Sequence, residues 1–189
     1  MKTTTFAAAM VAAGVLLAGC AGADNGSTTP PPTTPTSAAA DHNAADIAFA
    51  QGMIPHHEQA VEMAALVEGR TTTPEVLSLA ERVEQAQAPE IRTMTQWLAA
   101  WGAPTAAGGH EGHGPGMMSA EDMTRLEDAK NADFDRRWLE MMIEHHEGAV
   151  EMARTELAEG GNAEAKALAQ QIIDAQQAEI TEMHALLDS

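Results

Sequence analysis

Two pairs of adjacent histidines, each set between methionines, are the residues of this sequence best suited to chemistry. The first pair lies in MIPHHEQAVEM, residues 53–63, and the second in MIEHHEGAVEM, residues 142–152. On an α-helix, residues three, four or seven apart share a face, so each stretch places imidazole and thioether groups side by side. Thioether and imidazole without thiolate suit Cu(I), and by extension Ag(I), better than Ca²⁺ or Mg²⁺. The pattern therefore predicts a site for a soft metal ion.

The histidine pairs belong to a longer internal match. A shift of 89 residues superposes residues 46–94 on residues 135–183 with 19 identities in 49 positions. The matches extend beyond the histidines and methionines to a glutamine and a glutamate further along each half. Two unrelated helical segments would not match so often, so the sequence predicts a duplicated unit.

Each unit has the pattern of two helices joined by a short turn. Apolar and histidine positions recur at three- and four-residue steps over residues 49–67 and again over residues 76–97. Thr73 is the predicted N-cap of the second helix and Gly102 its end, and Asn162 is the corresponding cap in the second unit. No window alternates like a strand, so we predict an all-α four-helix bundle built from two tandem helical hairpins. The predicted buried stripe of the second helix comprises Val76, Leu79, Val83, Ala86, Glu90, Met94 and Trp97.

Folding each hairpin about its turn places polar residues opposite the histidines. Gln87 falls nearly level with the first histidine pair, with Glu90 about one turn away, and Gln176 and Glu179 are their counterparts. A carboxylate in an apolar layer is costly unless paired. We therefore predict a His–Glu layer with methionines above and below, in which at least one histidine of each pair points inward and the other lies at the edge. Glu90 and Glu179 would orient a histidine by accepting its second N–H. The candidate ligands are Met53, His56, His57, Met63, Met94, Met142, His145, His146, Met152 and Met183.

The connection between the units contains further candidate ligands. It reads HEGHGPGMM and supplies His110, His113, Met117 and Met118. Glycine and proline allow this loop to wrap an ion, but a flexible linker with incidental histidines and methionines fits the pattern equally well. Ser119 then resembles the start of a capping box for a short helix that leads into the second unit.

The N-terminus has the pattern of an exported lipoprotein. Residues 1–19 contain one Lys and an apolar run too short for a stable membrane span, which is typical of a secretory signal. Leu-Ala-Gly-Cys follows the lipobox pattern, so we expect lipidation of Cys20 and anchoring to the outer face of the cell membrane. Residues 20–42 are rich in Pro and Thr and predict a disordered tether. The domain then spans residues 43–189, with repeat 1 at 43–101, a linker at 102–118 and repeat 2 at 119–188.

Charge and cysteine content exclude several classes of protein. The formal charge of −18, or −19 without Lys2 of the signal, disfavours nucleic acid and anionic lipid surfaces as partners but suits cations. Cys20 is the only cysteine, which excludes an internal disulfide and a cysteine-based zinc site. No nucleophile–base arrangement or phosphate loop is apparent, so we do not expect an enzyme.

The doubled H-H-E-x-A-x-x-M element, at residues 56–63 and 145–152, resembles the DUF305 family, a domain of unknown function. The likeness covers residues 43–188. It implies a ferritin-like four-helix bundle, often exported, and some members of the family are implicated in binding copper or silver in the cell envelope. The resemblance implies that role for both histidine pairs and the methionines that flank them.

The sequence is compatible with three functions. The first is a copper-binding buffer or chaperone in metal tolerance, which would pass the ion to another envelope protein. The second is a di-iron oxidase, which needs Glu-x-x-His on two helices; the four main helices lack it, so iron is not expected. The third is a structural or interaction bundle whose histidine layers fix the helix register without binding a metal.

Overall fold

Five α-helices account for most of the described part of the chain. The computed structural model describes residues 41–105 and 114–189, so Cys20, the predicted signal, most of the tether, His110 and His113 lie outside the described residues. In this part, no helix is both long and apolar enough to cross a membrane. The helices are α1 (Ala44–Ala65), α2 (Pro74–Trp101), α3 (Ala120–Asp128), α4 (Asn131–Glu159) and α5 (Ala163–Leu187).

The four long helices form two hairpins that meet through α1 and α4. Helix α1 packs against α2, α4 packs against α5, and α1 packs against α4. Helices α1 and α4 run antiparallel, since the buried Trp138 indole donates a 2.9 Å hydrogen bond to the Met63 carbonyl near the end of α1. The predicted all-α four-helix bundle of two tandem hairpins is confirmed, and α3 is the short lead-in helix.

The predicted helix ends are found where the local chemistry placed them. Gly102 closes α2 in the left-handed conformation at φ +68°, and the Asn162 side chain accepts from two backbone N–H groups at the start of α5. Ser119 caps α3 by accepting from the Asp122 N–H. Thr73 occupies the N-cap position of α2 without a capping bond, because its hydroxyl instead donates to Asp135 on α4 at 2.6 Å.

The predicted buried stripe of α2 holds only in part: Glu90 and Trp97 are partly exposed, and Ala86 does not belong to it. Ala86 is exposed, whereas Gln87 beside it is buried. Val83, Gln87 and Met94 lie four and seven residues apart and define the buried face, and Ala86 is turned about 100° from Gln87 around the helix. The face directed at the core thus carries an amide where the prediction placed a methyl group.

The bundle interior is divided into two apolar clusters. The first, which we call the Trp138 cluster, packs Phe134 and Trp138 of α4 against Ala60 of α1 and the start of α2. The second, the Phe49 cluster, packs Phe49 and Ile54 of α1 against the end of α2 and the facing parts of α4 and α5. The buried histidines lie on α1 and α4 between these two clusters.

A buried pair of carboxyl groups joins the start of α1 to the α4–α5 turn. Asp46 accepts from the backbone N–H groups of Gly161 at 3.0 Å and Asn162 at 2.8 Å, and Glu156 lies beside it at 1% exposure. Burial and the neighbouring Asp46 raise the pKa of Glu156 to about 8. Protonated Glu156 can donate to Asp46, whereas ionised Glu156 would have no donor among the described residues. This pair was missed from sequence, although Glu156 continues the buried face of α4 at helical spacing.

The buried ionisable groups predict a maximum of apo-protein stability near pH 6.5. Burial lowers the pKa of His56 from 6.5 to about 3 and also lowers that of His145, so folding releases protons from both between pH 3 and 6.5. Their contribution to the unfolding free energy therefore rises with pH up to 6.5. Glu156 acts oppositely: its contribution is complete below its ordinary pKa of 4.5 and is lost as pH rises to about 8. Within its own pH range, each group changes the free energy of unfolding by about 1.4 kcal/mol per pH unit. Between pH 4.5 and 6.5 the two histidines outweigh Glu156, so stability rises with pH. Above pH 6.5 only Glu156 still contributes a slope, so stability falls.

Glu156→Gln is expected to abolish the fall in stability between pH 6.5 and 8, because glutamine donates to Asp46 without titrating. Denaturant unfolding of metal-free wild type and variant across pH 5–9 measures this. Below pH 6.5 both proteins should gain stability as pH rises, and the variant should gain it more steeply, because only the wild type has the opposing Glu156 slope. A variant that loses stability above pH 6.5 as steeply as the wild type would contradict this assignment.

Candidate metal centre

All four histidines of the two pairs are inside the bundle. His56 is 1% exposed, and His57, His145 and His146 are fully buried. The expectation that one histidine of each pair lies at the edge of the stripe is therefore wrong. The physical reason is that α1 and α4 each pack against more than one helix, so each buries more than a single face of ordinary width.

One histidine of each pair is held by a glutamate from the other helix of its hairpin. His57 Nε2 lies 2.7 Å from Glu90 Oε2, and His146 Nε2 lies 2.7 Å from Glu179 Oε2. The glutamate side chains are 20% and 16% exposed, so each carboxylate reaches from the bundle surface to a buried ring. A carboxylate accepts the Nε2 proton, which in the neutral imidazole leaves the lone pair on Nδ1.

The other histidine of each pair lies at the centre of the α1–α4 interface. The rings of His56 and His145 face each other with centroids 3.7 Å apart. His56 Nε2 donates to the Pro115 carbonyl at 3.1 Å, whereas His145 has no hydrogen-bond partner among the described residues. His56 therefore also presents Nδ1 as its free nitrogen.

The electrostatics of this layer keep the central rings neutral. Burial is the main cause that lowers the pKa of His56 to about 3, and the neighbouring His57 lowers it further. Burial and the adjacent His56 lower the pKa of His145 in the same way. Neutral imidazoles with free lone pairs are the form that binds metal ions, so no proton has to be displaced from these two rings at neutral pH.

The candidate methionines lie on both sides of the histidine layer. Met63, Met142 and Met183 belong to the Trp138 cluster, and all three are fully buried. Met53 and Met94 are buried in the Phe49 cluster, and Met152 packs against that cluster with its side chain partly exposed. Each group thus combines two methionines from one predicted repeat with one from the other. All ten candidate residues of the two units lie in the bundle interior or pack against it.

The end of the connecting segment also reaches this centre. Met118 is 5% exposed and joins the Trp138 cluster. Met117 and Met152 both lie beside Gly114, since a Cβ built there would be 3.9 Å from Met117 Cγ and 4.0 Å from Met152 Sδ. The sequence suggested the connection as a separate candidate site, but its described end is continuous with the histidine layer.

The layer contains eight buried polar atoms with no hydrogen-bond partner in the described part of the chain. They comprise one or both ring nitrogens of every histidine in the layer, together with side-chain atoms of the buried Gln87 and Gln176. A buried polar atom without a partner costs roughly 1–3 kcal/mol, so such a concentration needs a ligand or bound solvent to compensate it. The eight atoms are His56 Nδ1, His57 Nδ1, His145 Nδ1, His145 Nε2, His146 Nδ1, Gln87 Oε1, Gln87 Nε2 and Gln176 Oε1.

The donor set of this centre differs from that of a carboxylate-bridged site. Residues 41–105 and 114–189 contain no group of three or more His, Cys, Asp or Glu side chains with metal-binding geometry. A metal ion held here would therefore need thioether donors beside the imidazoles. That combination fits a soft cation and not an oxygen-preferring one.

Fold and buried layer together define a four-helix bundle with an imidazole layer between two methionine groups. The sequence model of DUF305, a domain of unknown function, matches residues 46–187. The chain therefore belongs to the DUF305 family. A comparison with curated proteins gives no significant match.

Solved structures of similar proteins share the fold over nearly their full length. A DUF305 protein from Streptomyces coelicolor is 35% identical, with a TM-score of 0.72 over 79% of this chain and 94% of that one. A DUF305 fragment from Deinococcus radiodurans is 31% identical, with a TM-score of 0.71 over 77% and 97%. CopM in its Cu(I)-bound form is 33% identical, with a TM-score of 0.65 over 76% and 95%. CopM has also been solved in Cu(II)-bound and Ag-bound forms.

Proposed function

We propose that this protein binds Cu(I), and also Ag(I), through its buried histidines and the two methionine groups, and that it acts as a metal buffer or chaperone. The ion is cargo, and the protein performs no chemistry on it. The observation that carries the proposal is the set of unpartnered imidazole nitrogens in the core, flanked by thioethers on both sides.

The residues present fit a soft monovalent cation. Three of the four histidines have Nε2 engaged with an acceptor and Nδ1 buried without a partner. Neutral Nδ1 atoms and methionine sulfurs are the donors that such an ion prefers. The copper- and silver-bound forms of CopM, a relative of the same fold, support this choice of ion.

We further propose that the protein is exported and anchored through lipidated Cys20 to the outer face of the cell membrane. The signal-like residues 1–19 and the lipobox pattern support this location. The Streptomyces coelicolor relative is itself described as a candidate secreted protein. Outside the cytoplasm, a thiol-free site would keep free copper low and pass the ion to another envelope protein. No iron chemistry is proposed, since the donor set is poor in carboxylates.

Anaerobic titration of the metal-free protein with Cu(I), in competition with a coloured chelator, tests the proposal. We expect uptake with a Kd well below micromolar, and Ag(I) should displace the copper. Ca²⁺ and Mg²⁺ in excess should not compete, because the site offers no oxygen cage. If a chelator of about micromolar affinity keeps all the Cu(I) when present in equal amounts, the proposed function is wrong.

Glu90→Gln combined with Glu179→Gln is expected to weaken Cu(I) binding by roughly 10–100-fold. Glutamine keeps the size of the side chain but removes the charge that fixes the ring and strengthens Nδ1 as a donor. The same competition titration measures the effect.

Glu58→Gln combined with Glu147→Gln is the matched control for this pair. These exposed glutamates follow the histidine pairs in the same two helices and lose the same charge. Equal losses in the two double variants would show that overall charge, and not the hydrogen bond to the ring, is responsible.

A further inference from the structure

Residues 114–118, which we call the strap, cross the interface of α1 and α4 beside the facing rings of His56 and His145. The strap lies directly against the backbone of α4: a Cβ on Gly116 would be 2.5 Å from the Glu144 carbonyl oxygen. A Cβ on Gly148 would be 2.0 Å from the Pro115 oxygen. Only glycine at both positions permits this approach, since no side-chain rearrangement could relieve a contact with backbone atoms.

Gln59 of α1 holds the strap from the opposite side. Its Nε2 donates to the Met118 carbonyl at 2.9 Å, and its Oε1 accepts from the Met118 N–H at 2.7 Å. Gln59 and Gly148 are related by the shift of 89 residues, and they are the one difference between HHEQAVEMA and HHEGAVEMA. The first copy of the motif thus hydrogen-bonds the strap through Gln59, and the second copy allows its close approach because Gly148 has no side chain.

The strap makes the two central histidines chemically different. The Pro115 carbonyl can only accept, so its 3.1 Å hydrogen bond requires the proton of His56 to be on Nε2. His145 receives no such bond from the described residues and can adopt either tautomer. Pro115 therefore fixes the tautomer of His56, as Glu90 fixes the tautomer of His57.

We propose that the strap is a positioning element of the metal site: it fixes His56 in the tautomer that presents Nδ1 and closes this side of the site against exchange. The proposal rests on the proposed function and adds a residue-level control of how firmly the soft cation is held. Loss of the strap contact should leave the bundle intact but make the bound ion leave faster.

The variants that test this act on the strap from both sides. Gln59→Ala removes the two hydrogen bonds to Met118, and Gly148→Ala displaces the Pro115 carbonyl. The matched control is Gln51→Ala on the same helix, because the Gln51 amide donates to the Pro104 carbonyl at 2.8 Å at the other end of the connection. Circular dichroism establishes whether each variant is folded. If Gly148→Ala does not fold, Gln59→Ala alone tests the proposal.

Two readouts distinguish this proposal from the proposed function. Proton–nitrogen NMR of the metal-free protein should show His56 protonated at Nε2 in wild type and control, and a mixture of tautomers in the strap variants. Transfer of bound Ag(I) to excess chelator should be at least about tenfold faster in the strap variants, as expected for the loss of one buried hydrogen bond.

The strap proposal and the proposed function are overturned by different results. If either the tautomer or the transfer rate of the strap variants equals that of the wild type, the strap does not position the site and the proposal is overturned. A wild type that takes up no Ag(I) would instead overturn the proposed function.

Discussion

Replacing His56, His57, His145 and His146 together by alanine is expected to raise the Kd for Cu(I) at least about a thousandfold, or 4 kcal/mol. These are the buried imidazoles of the described bundle, and their unpartnered nitrogens supply the nitrogen donors of the site. The methionines alone should retain only weak binding. Anaerobic competition titration measures the affinity, and circular dichroism establishes that the variant remains helical.

His184→Ala is the matched control for this variant. His184 is an exposed histidine near the end of α5 and should leave the affinity unchanged. A four-alanine variant that still binds as tightly as His184→Ala would place the copper outside the histidine layer.

Changing one methionine group to leucine is expected to halve the Cu(I) capacity of the protein. The first variant combines Met53→Leu, Met94→Leu and Met152→Leu. The second combines Met63→Leu, Met142→Leu and Met183→Leu. Leucine nearly conserves volume and costs less than about 1.5 kcal/mol per site, so the sulfur is removed while the cluster stays packed. With both groups changed, tight binding should be lost.

The stoichiometry of Cu(I) bound per chain measures the effect of each triple variant. Met141→Leu is the control, because Met141 packs at the edge of the Trp138 cluster without belonging to either group. If both triple variants keep the full wild-type stoichiometry, the thioethers are core filling, as methionine often is, and not ligands.

Much of the fold and part of the centre could be predicted from the sequence. The hairpin turns follow from local cap and turn residues, and once a turn is placed, residues on its two helices are paired by counting. For this reason the sequence predicted that Glu90 accepts a hydrogen bond from a histidine of the first pair, and the structure shows that this histidine is His57. Counting within a hairpin also placed methionines on both sides of the layer.

What the sequence could not predict depends on contacts between the hairpins. Met152 packs against the same cluster as Met53 and Met94 only because α4 lies antiparallel to α1. The spacing of residues within one repeat does not predict how the two hairpins pack against each other. The burial of both histidines of each pair has the same origin. The strap was missed because its bond to His56 comes from the Pro115 backbone, and the carbonyl of a residue leaves no mark on the side-chain pattern.

One difference between the two copies of the motif did carry information. Gln59 and Gly148 occupy the one position that differs between HHEQAVEMA and HHEGAVEMA. In the structure they are the two residues that admit and hold the connecting segment. The one position at which the two copies of the motif differ is thus the position at which the strap crosses α1 and α4.

Anomalous scattering from crystals loaded with Cu(I) or Ag(I) would locate the bound ions. We expect ions inside the bundle, each bound to an Nδ1 atom of the histidine layer and to sulfur from one of the two methionine groups. Anomalous peaks confined to the bundle surface, with the four buried rings unchanged and no thioether near the ion, would contradict this expectation.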